Sequence, residues 1–135
     1  MKEMEIKSAH SATCLRFSDI QGEYFYASLV SPEFSGSVRV WAYTDSQWLA
    51  ALFTEMAENW QGWKEELKWS SIEEEFTITC THDKLGHITL YVEMHHDFGS
   101  LEPWRLKASL VVDAGQLETI SKDAKKFFTT EGSNP

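Results

Sequence analysis

A chain of 135 residues, 42% hydrophobic and 24% charged, has the size and make-up of one globular domain spanning 1–135, with an ordered core expected over about 4–128. Its net charge of −9, with Lys and Arg scattered among the acids, argues against duplex nucleic acid as a partner; plain solubility is the first explanation of the charge, and a cationic partner drawn in by the field is the second. No stretch approaches the ~20 apolar residues that span a bilayer, so no membrane role is expected.

The opening Met1-Lys-Glu-Met-Glu-Ile is charged and no apolar run follows, so no secretory signal is expected. Cys14 and Cys80 are far apart and fit no metal spacing; they read as reduced, buried thiols in a cytoplasmic protein.

Met4–Lys7 is a minor strand candidate. Residues 12–20 alternate, with Leu15 and Phe17 on one face. Gly22 turns the chain into an aromatic, β-branched strand over 24–30. Residues 37–43 alternate again: Val38, Val40 and Ala42 face one way, Arg39, Trp41 and Tyr43 the other. The period then changes. Trp48, Leu49, Leu52, Phe53, Met56 and Trp60 recur at helical spacing over 45–60. Thr44 and Gln47 match a capping box before this helix, and Gly62 is a natural stop after it.

Phe76, Ile78 and Cys80 alternate with threonines, Asp83–Gly86 turns, and Ile88, Leu90, Val92 and Met94 alternate with polar residues. After a loop at 97–103, Leu106, Ala108, Leu110 and Val112 mark another strand. A last helix over 116–128 carries Leu117, Ile120, Ala124, Phe127 and Phe128 on one stripe, with Asp113 placed to cap it. Both ends, 1–3 and 129–135, read as loose. The order βββ-α-βββ-α predicts an α+β domain: one antiparallel sheet of about six strands, covered by two amphipathic helices.

Chemistry-bearing patterns are sparse. No Gly-x-Ser-x-Gly elbow and no phosphate-cradling glycine loop occurs. His87 and His95 share a strand face but stand eight residues apart, roughly 26 Å, too far for one ion. His82 and His96, with Asp83 or Asp97, are the one metal or hydrolase arrangement the hairpin suggests; surface histidines at strand ends explain them as well. The expectation is therefore no catalytic residue, no metal and no cofactor.

The most informative segment is Asn59–Trp69, where Trp60, Trp63 and Trp69 stand among Glu65 and Glu66, followed by Glu73, Glu74 and Glu75. Indoles beside carboxylates suit a protein interface, since tryptophan anchors and complementary charge dominate such surfaces. Taken residue by residue, the favoured expectation is that at least two of the rings belong to the core and that the acid run forms a solvated strand edge.

The order helix, Trp60-x-Gly62-Trp63, Trp69-Ser-Ser-Ile-Glu73, Leu85-Gly86-His87-Ile88 and closing Gly115-Gln116-Leu117-Glu118 resembles a family of small bacterial proteins of unassigned function. That family is similar in turn to the WapI-like immunity proteins, which protect a bacterium from a toxin delivered by contact. The shared layout covers roughly 15–128, and the chain departs from the WapI-like pattern in its extra tryptophans. The resemblance implies occlusion of a cognate toxin rather than catalysis.

These readings converge on a non-enzymatic, acidic, cytoplasmic protein-binding domain. Its expected contact residues are Trp63, Glu65, Glu66, Trp69, Glu73 and Glu75, and its expected partner is a cationic toxin protein. The alternatives are a small-molecule or carbohydrate-binding domain that uses exposed Trp63, Trp69 or Trp104, and a homodimer assembled through an unpaired strand edge.

Overall fold

The computed structural model describes residues 2–43, 45–97 and 99–130. Four strands come first: β1 (Glu3–Lys7), β2 (Cys14–Gln21), β3 (Tyr24–Val30) and β4 (Ser35–Trp41). Helix α1 (Ser46–Glu58) follows. A second run of four holds β5 (Leu67–Ser70), β6 (Phe76–His82), β7 (His87–His96) and β8 (Trp104–Asp113). A 3-10 turn at Ala114–Gln116 leads into α2 (Leu117–Lys125), and a wider helical turn, Lys126–Thr130, completes it.

The single six-stranded sheet is therefore corrected to two antiparallel meanders of four, ordered β1-β2-β3-β4 and β5-β6-β7-β8. The α+β class stands. Each meander is followed by one helix, so the order ββββα occurs twice although no repeat is visible in the residues.

Alternation sets which face of each sheet is dry. Met4 and Ile6, Leu15 and Phe17, Phe25, Ala27 and Leu29, and Val38 and Val40 are buried on the first sheet. Phe76, Ile78 and Cys80, then Ile88 to Met94 at every second position, and Leu110 and Val112 are buried on the second. Between the sheets lie Leu49, Leu52, Phe53 and Met56 of α1, and Leu117, Ile120 and Ala124 of α2 with Phe127 and Phe128 beyond it. Phe17 joins these layers. Its ring meets Phe25 at 5.7 Å, Phe76 at 5.6 Å, Phe128 at 5.4 Å and Phe53 at 6.4 Å, so it touches both sheets, α1 and the turn after α2.

The ends of the first helix differ from the expectation. Thr44, the expected cap, lies outside the described residues; Asp45 occupies the N-cap without a side-chain hydrogen bond. Trp48 and Trp60 are not on the buried stripe but 61% and 54% exposed. Helix α1 ends before Asn59, whose backbone N–H reaches Glu55 and Met56, while Gly62 serves the turn beyond. At the second helix the expected cap acts one turn earlier: Asp113 caps the 3-10 turn, and Gln116 is the N-cap of α2 itself. The Asp113 side chain accepts from the Gln116 backbone, and the Gln116 side-chain oxygen accepts from the Asp113 N–H at 2.8 Å.

Two seams join the sheets. At one, the Ala9 N–H donates to Val111 O at 2.8 Å, and the Gln116 side-chain amide donates to Lys7 O at 3.0 Å. At the other, the Trp41 N–H donates to the Glu75 carboxylate at 3.3 Å, and Gly36 lies against Leu106, where a Cβ would stand 2.6 Å from Leu106 Cδ2.

Candidate functional site

The expected tryptophan–acid patch is divided by β5. Trp69 is 7% exposed and packs against Phe76, so it belongs to the core and presents no face to a partner; this corrects its place among the contact residues. The physical cause is parity. Trp69 lies opposite Ile78 on the inward side of β5, with Lys68 and Ser70 facing outward. Trp63 is half-buried. Its ring N–H donates to Cys80 O at 3.2 Å and its edge meets the His82 ring at 5.0 Å. Two of the three indoles in this run are thus structural, and Trp60 is the exposed one.

Glu65 and Glu66 are exposed just before β5, and Glu65 holds a positive φ of 58°. Glu73 and Glu75 follow it. Four strand residues lie between the pairs, a rise of about 14 Å. The acids therefore form two groups at opposite ends of β5.

The 71–76 turn is built around a buried hydroxyl. Ser71 is 2% exposed; its Oγ accepts the Phe76 N–H at 3.2 Å and donates to Glu75. Glu75 is half-buried between Ser71 and the Trp41 N–H, which makes it an anchor rather than a free carboxylate. Ile72, Glu73 and Glu74 stay exposed at the tip, with Glu74 at φ 60°.

This turn, β4 and the end of β7 enclose a cleft of about 540 Å³. Arg39, His95 and His96 contribute basic groups to its wall, and Glu73, Glu75 and Asp97 contribute acids. Beside it runs the outward face of β3 and β4. Tyr24 pairs with Trp41 and Tyr26 with Arg39. The Arg39 guanidinium sits 3.8 Å from the Tyr24 ring centroid, a cation–π contact that holds the arginine flat against the sheet. The Trp41 ring N–H donates to Glu23 at 2.9 Å, and Trp41 meets Tyr43 edge-on at 6.0 Å. Tyr24, Tyr26 and Tyr43 are 37%, 40% and 50% exposed.

The outcome is an aromatic row with polar handles, bordered by an acidic tip and a mixed-charge cleft. Such a surface offers rigid contact area to a protein together with carboxylates for its lysines and arginines. Trp41 and Tyr43 stood out in the sequence as facing away from Val38 and Val40. Tyr24 and Tyr26 did not, although their spacing of two in a strand whose other parity is Phe25, Ala27 and Leu29 is the signal that marks an outward pair.

The histidine arrangement is also corrected. His82 ends β6 opposite Ile88 at the start of β7, whereas His96 ends β7 opposite Trp104, so the two lie at opposite ends of the hairpin and share no site. His82 instead accepts the Lys84 N–H at 2.7 Å and lies 2.8 Å from Trp60 O, while His96 stacks on Trp104 at 6.3 Å. Asp83 turns to His87 at 2.8 Å. The Leu85 N–H, with smaller help from the His87 N–H and imidazole, draws the Asp83 carboxyl down to about 2. Among the described residues no helix is long and apolar enough to cross a membrane.

No curated protein matches the chain. A family profile does: residues 6–131 match, nearly the whole described fold, and the chain belongs to this family of unknown function, DUF6228.

Proposed function

We propose that the protein is a non-enzymatic binding domain that occludes a basic protein partner, and that this partner is a toxin. The aromatic row Tyr24, Tyr26, Trp41 and Tyr43 beside the acidic 72–74 tip carries the reading. Exposed rings with two rotatable bonds give contact area at low entropic cost, and the acids select for cationic partners. The net charge of −9 adds long-range attraction. The resemblance to WapI-like immunity proteins supplies the specific role.

Within this reading the two acid groups act differently. Glu73 lines the cleft next to Glu75, which holds the Trp41 N–H, so it contacts the partner. Glu65 and Glu66 lie at the far end of β5 beside half-buried Trp63 and contribute to steering. The carbohydrate alternative rests on Trp104 alone, which is 37% exposed and stacks on His96 beside the cleft, since Trp63 is turned against Cys80 and His82 and Trp69 is inside. Self-association of the same aromatic face is the other use it would serve.

The test is co-expression with a toxin encoded beside the gene, scored as survival and as co-purification of a complex. Tyr26→Ala combined with Glu73→Lys is expected to abolish protection and raise the dissociation rate. Glu65→Lys with Glu66→Lys is expected to slow association and weaken its salt dependence. Survival that is indifferent to both pairs, or a homodimer in light scattering that the Tyr26 variant disrupts, sinks the proposal.

A further inference from the structure

The geometry points to a Zn²⁺-class cation site formed by His10, His87 and Asp113, at the seam where the end of β1 meets β7 and β8. One potential ligand atom from each lies within 4.8 Å of the other two. His10 Nε2 stands 3.5 Å from Asp113 Oδ1. Two donors held 2.0–2.2 Å from a tetrahedral ion stand about 3.4 Å apart, so this separation is that of two ligands sharing one ion. The His10 and His87 rings are edge-to-face with centroids 5.6 Å apart, which lets both nitrogens converge instead of stacking. All three side chains are about half exposed, so small rotations close the remaining distance.

The surroundings position the donors independently of any ion. His87 and Asp113 are cross-strand partners at the end of the β7–β8 ladder, and the Ala114 N–H closes it on Gly86 O at 2.9 Å. Asp113 is fixed further by its reciprocal cap with Gln116. The His10 backbone is tied down by Ser8, whose Oγ accepts the His10 N–H at 3.1 Å, and by the Ala9 N–H on Val111 O.

Asp83 supplies the feature that separates this cluster from a chance meeting of surface groups. Its Oδ2 lies 2.8 Å from His87 Nδ1. This contact holds the His87 ring from its Nδ1 side and leaves Nε2 as the atom a cation would take. That carboxylate–imidazole relay is the usual support behind a zinc-bound histidine. Two imidazoles and one carboxylate favour Zn²⁺ over Mg²⁺ or Ca²⁺, which prefer all-oxygen shells. Three protein donors leave one position outward, toward solvent. Because His10 lies in the β1–β2 loop of the first sheet and the other two belong to the second, a bound ion would clamp the sheets together. The inference is independent of the partner proposed above.

Metal-stripped full-length protein should be titrated with Zn²⁺ in a calorimeter and melted with and without it, with Co²⁺ added in parallel as a spectroscopic probe. One equivalent is expected to bind. The melting midpoint should rise by on the order of 10 °C at a hundredfold excess over Kd. Co²⁺ should show the intense visible absorption of a tetrahedral site, and Mg²⁺ and Ca²⁺ should shift nothing. His87→Gln and Asp113→Asn should each lower affinity at least tenfold, the second keeping an oxygen for the cap and both retaining the native circular dichroism. Asp83→Asn should weaken binding less. His96→Gln, at the other end of β7, serves as the control and should bind normally. Absence of a stoichiometric site, binding retained in His87→Gln, or equal loss in His96→Gln overturns the inference.

Discussion

Phe17→Ala tests whether the two meanders share one core. Phe17 is fully buried in the middle of β2, and its ring touches Phe25 in its own sheet, Phe76 in the other, Phe53 in α1 and Phe128 after α2. Two of these contacts are near-perpendicular edge-to-face pairs, each adding about 0.5–1.5 kcal/mol beyond burial. Truncating a buried phenylalanine costs about 3–5 kcal/mol, and a cavity walled by rings from four elements cannot collapse easily, so the upper half, about 4–5 kcal/mol, is expected. With an unfolding entropy of about 2.1 cal/mol/K per residue over 135 residues, that lowers the melting midpoint by roughly 14–18 °C. Phe17→Leu keeps most of the volume and should cost about 1–2 kcal/mol. Urea titration followed by circular dichroism gives the free energies. Amide hydrogen exchange then asks where protection is lost, and both sheets should lose it together. A cost under about 1.5 kcal/mol, or protection lost over β1–β4 but kept over β5–β8, would refute a shared core.

Trp69→Ala should cost about 3–5 kcal/mol in urea denaturation, whereas Trp48→Ala should stay within about 0.5 kcal/mol, because one ring is 7% and the other 61% exposed. Gly86 has φ +92° with nothing within 4 Å of where a Cβ would be, so Gly86→Ala should cost about 1–2 kcal/mol in backbone strain alone; a loss above that would mean a steric clash instead. Partial burial and the hydrogen bond to Glu5 push the Cys14 thiol up to about 11, and burial pushes Cys80 up to about 12. Iodoacetamide at pH 8 should therefore modify Cys14 about two orders of magnitude more slowly than a free thiol, accelerating as pH rises toward 11, and should leave Cys80 untouched until the protein unfolds.

Alternation in the residues was enough to place seven strands and both helices, because each buries one face and that face leaves a period. Leu67–Ser70 escaped because four residues show barely two periods, and Trp69 there reads as one more member of a tryptophan–glutamate run. Its burial follows from pairing with Ile78, a contact no local pattern encodes. The division into two sheets was hidden for the same reason. Alternation says which way a side chain faces, not which strand lies beside it, and β4 and β5 are separated by a helix that lets each meander close on its own. Trp48 and Trp60 show the opposite failure. Both fit the helical stripe within its angular tolerance, but Trp48 lies in the first turn of the helix and Trp60 beyond its last residue, and both stay exposed.

The cleft and the His10, His87 and Asp113 cluster lie at the two seams, and this explains why the residue pattern along the chain showed only fragments of them. The cleft draws on β4, the 71–76 turn and the end of β7; the His10, His87 and Asp113 cluster draws on the loop after β1, the start of β7 and the end of β8. Each mixes residues from both meanders across sequence separations of tens of residues. Within a meander, neighbours in sequence are neighbours in space and their polar sides are plain wet faces, such as Glu93 with Arg105 at 3.2 Å and Lys107 at 3.8 Å. At a seam the backbone ladder stops, side chains must satisfy what the ladder does not, and polar groups of several elements are forced together. Glu75 illustrates the consequence: the carboxylate that anchors the turn to the Trp41 N–H is the one that fixes where Glu73 and Glu74 project. Strand β7 runs the length between the seams, with His87 at one end and His95 and His96 at the other.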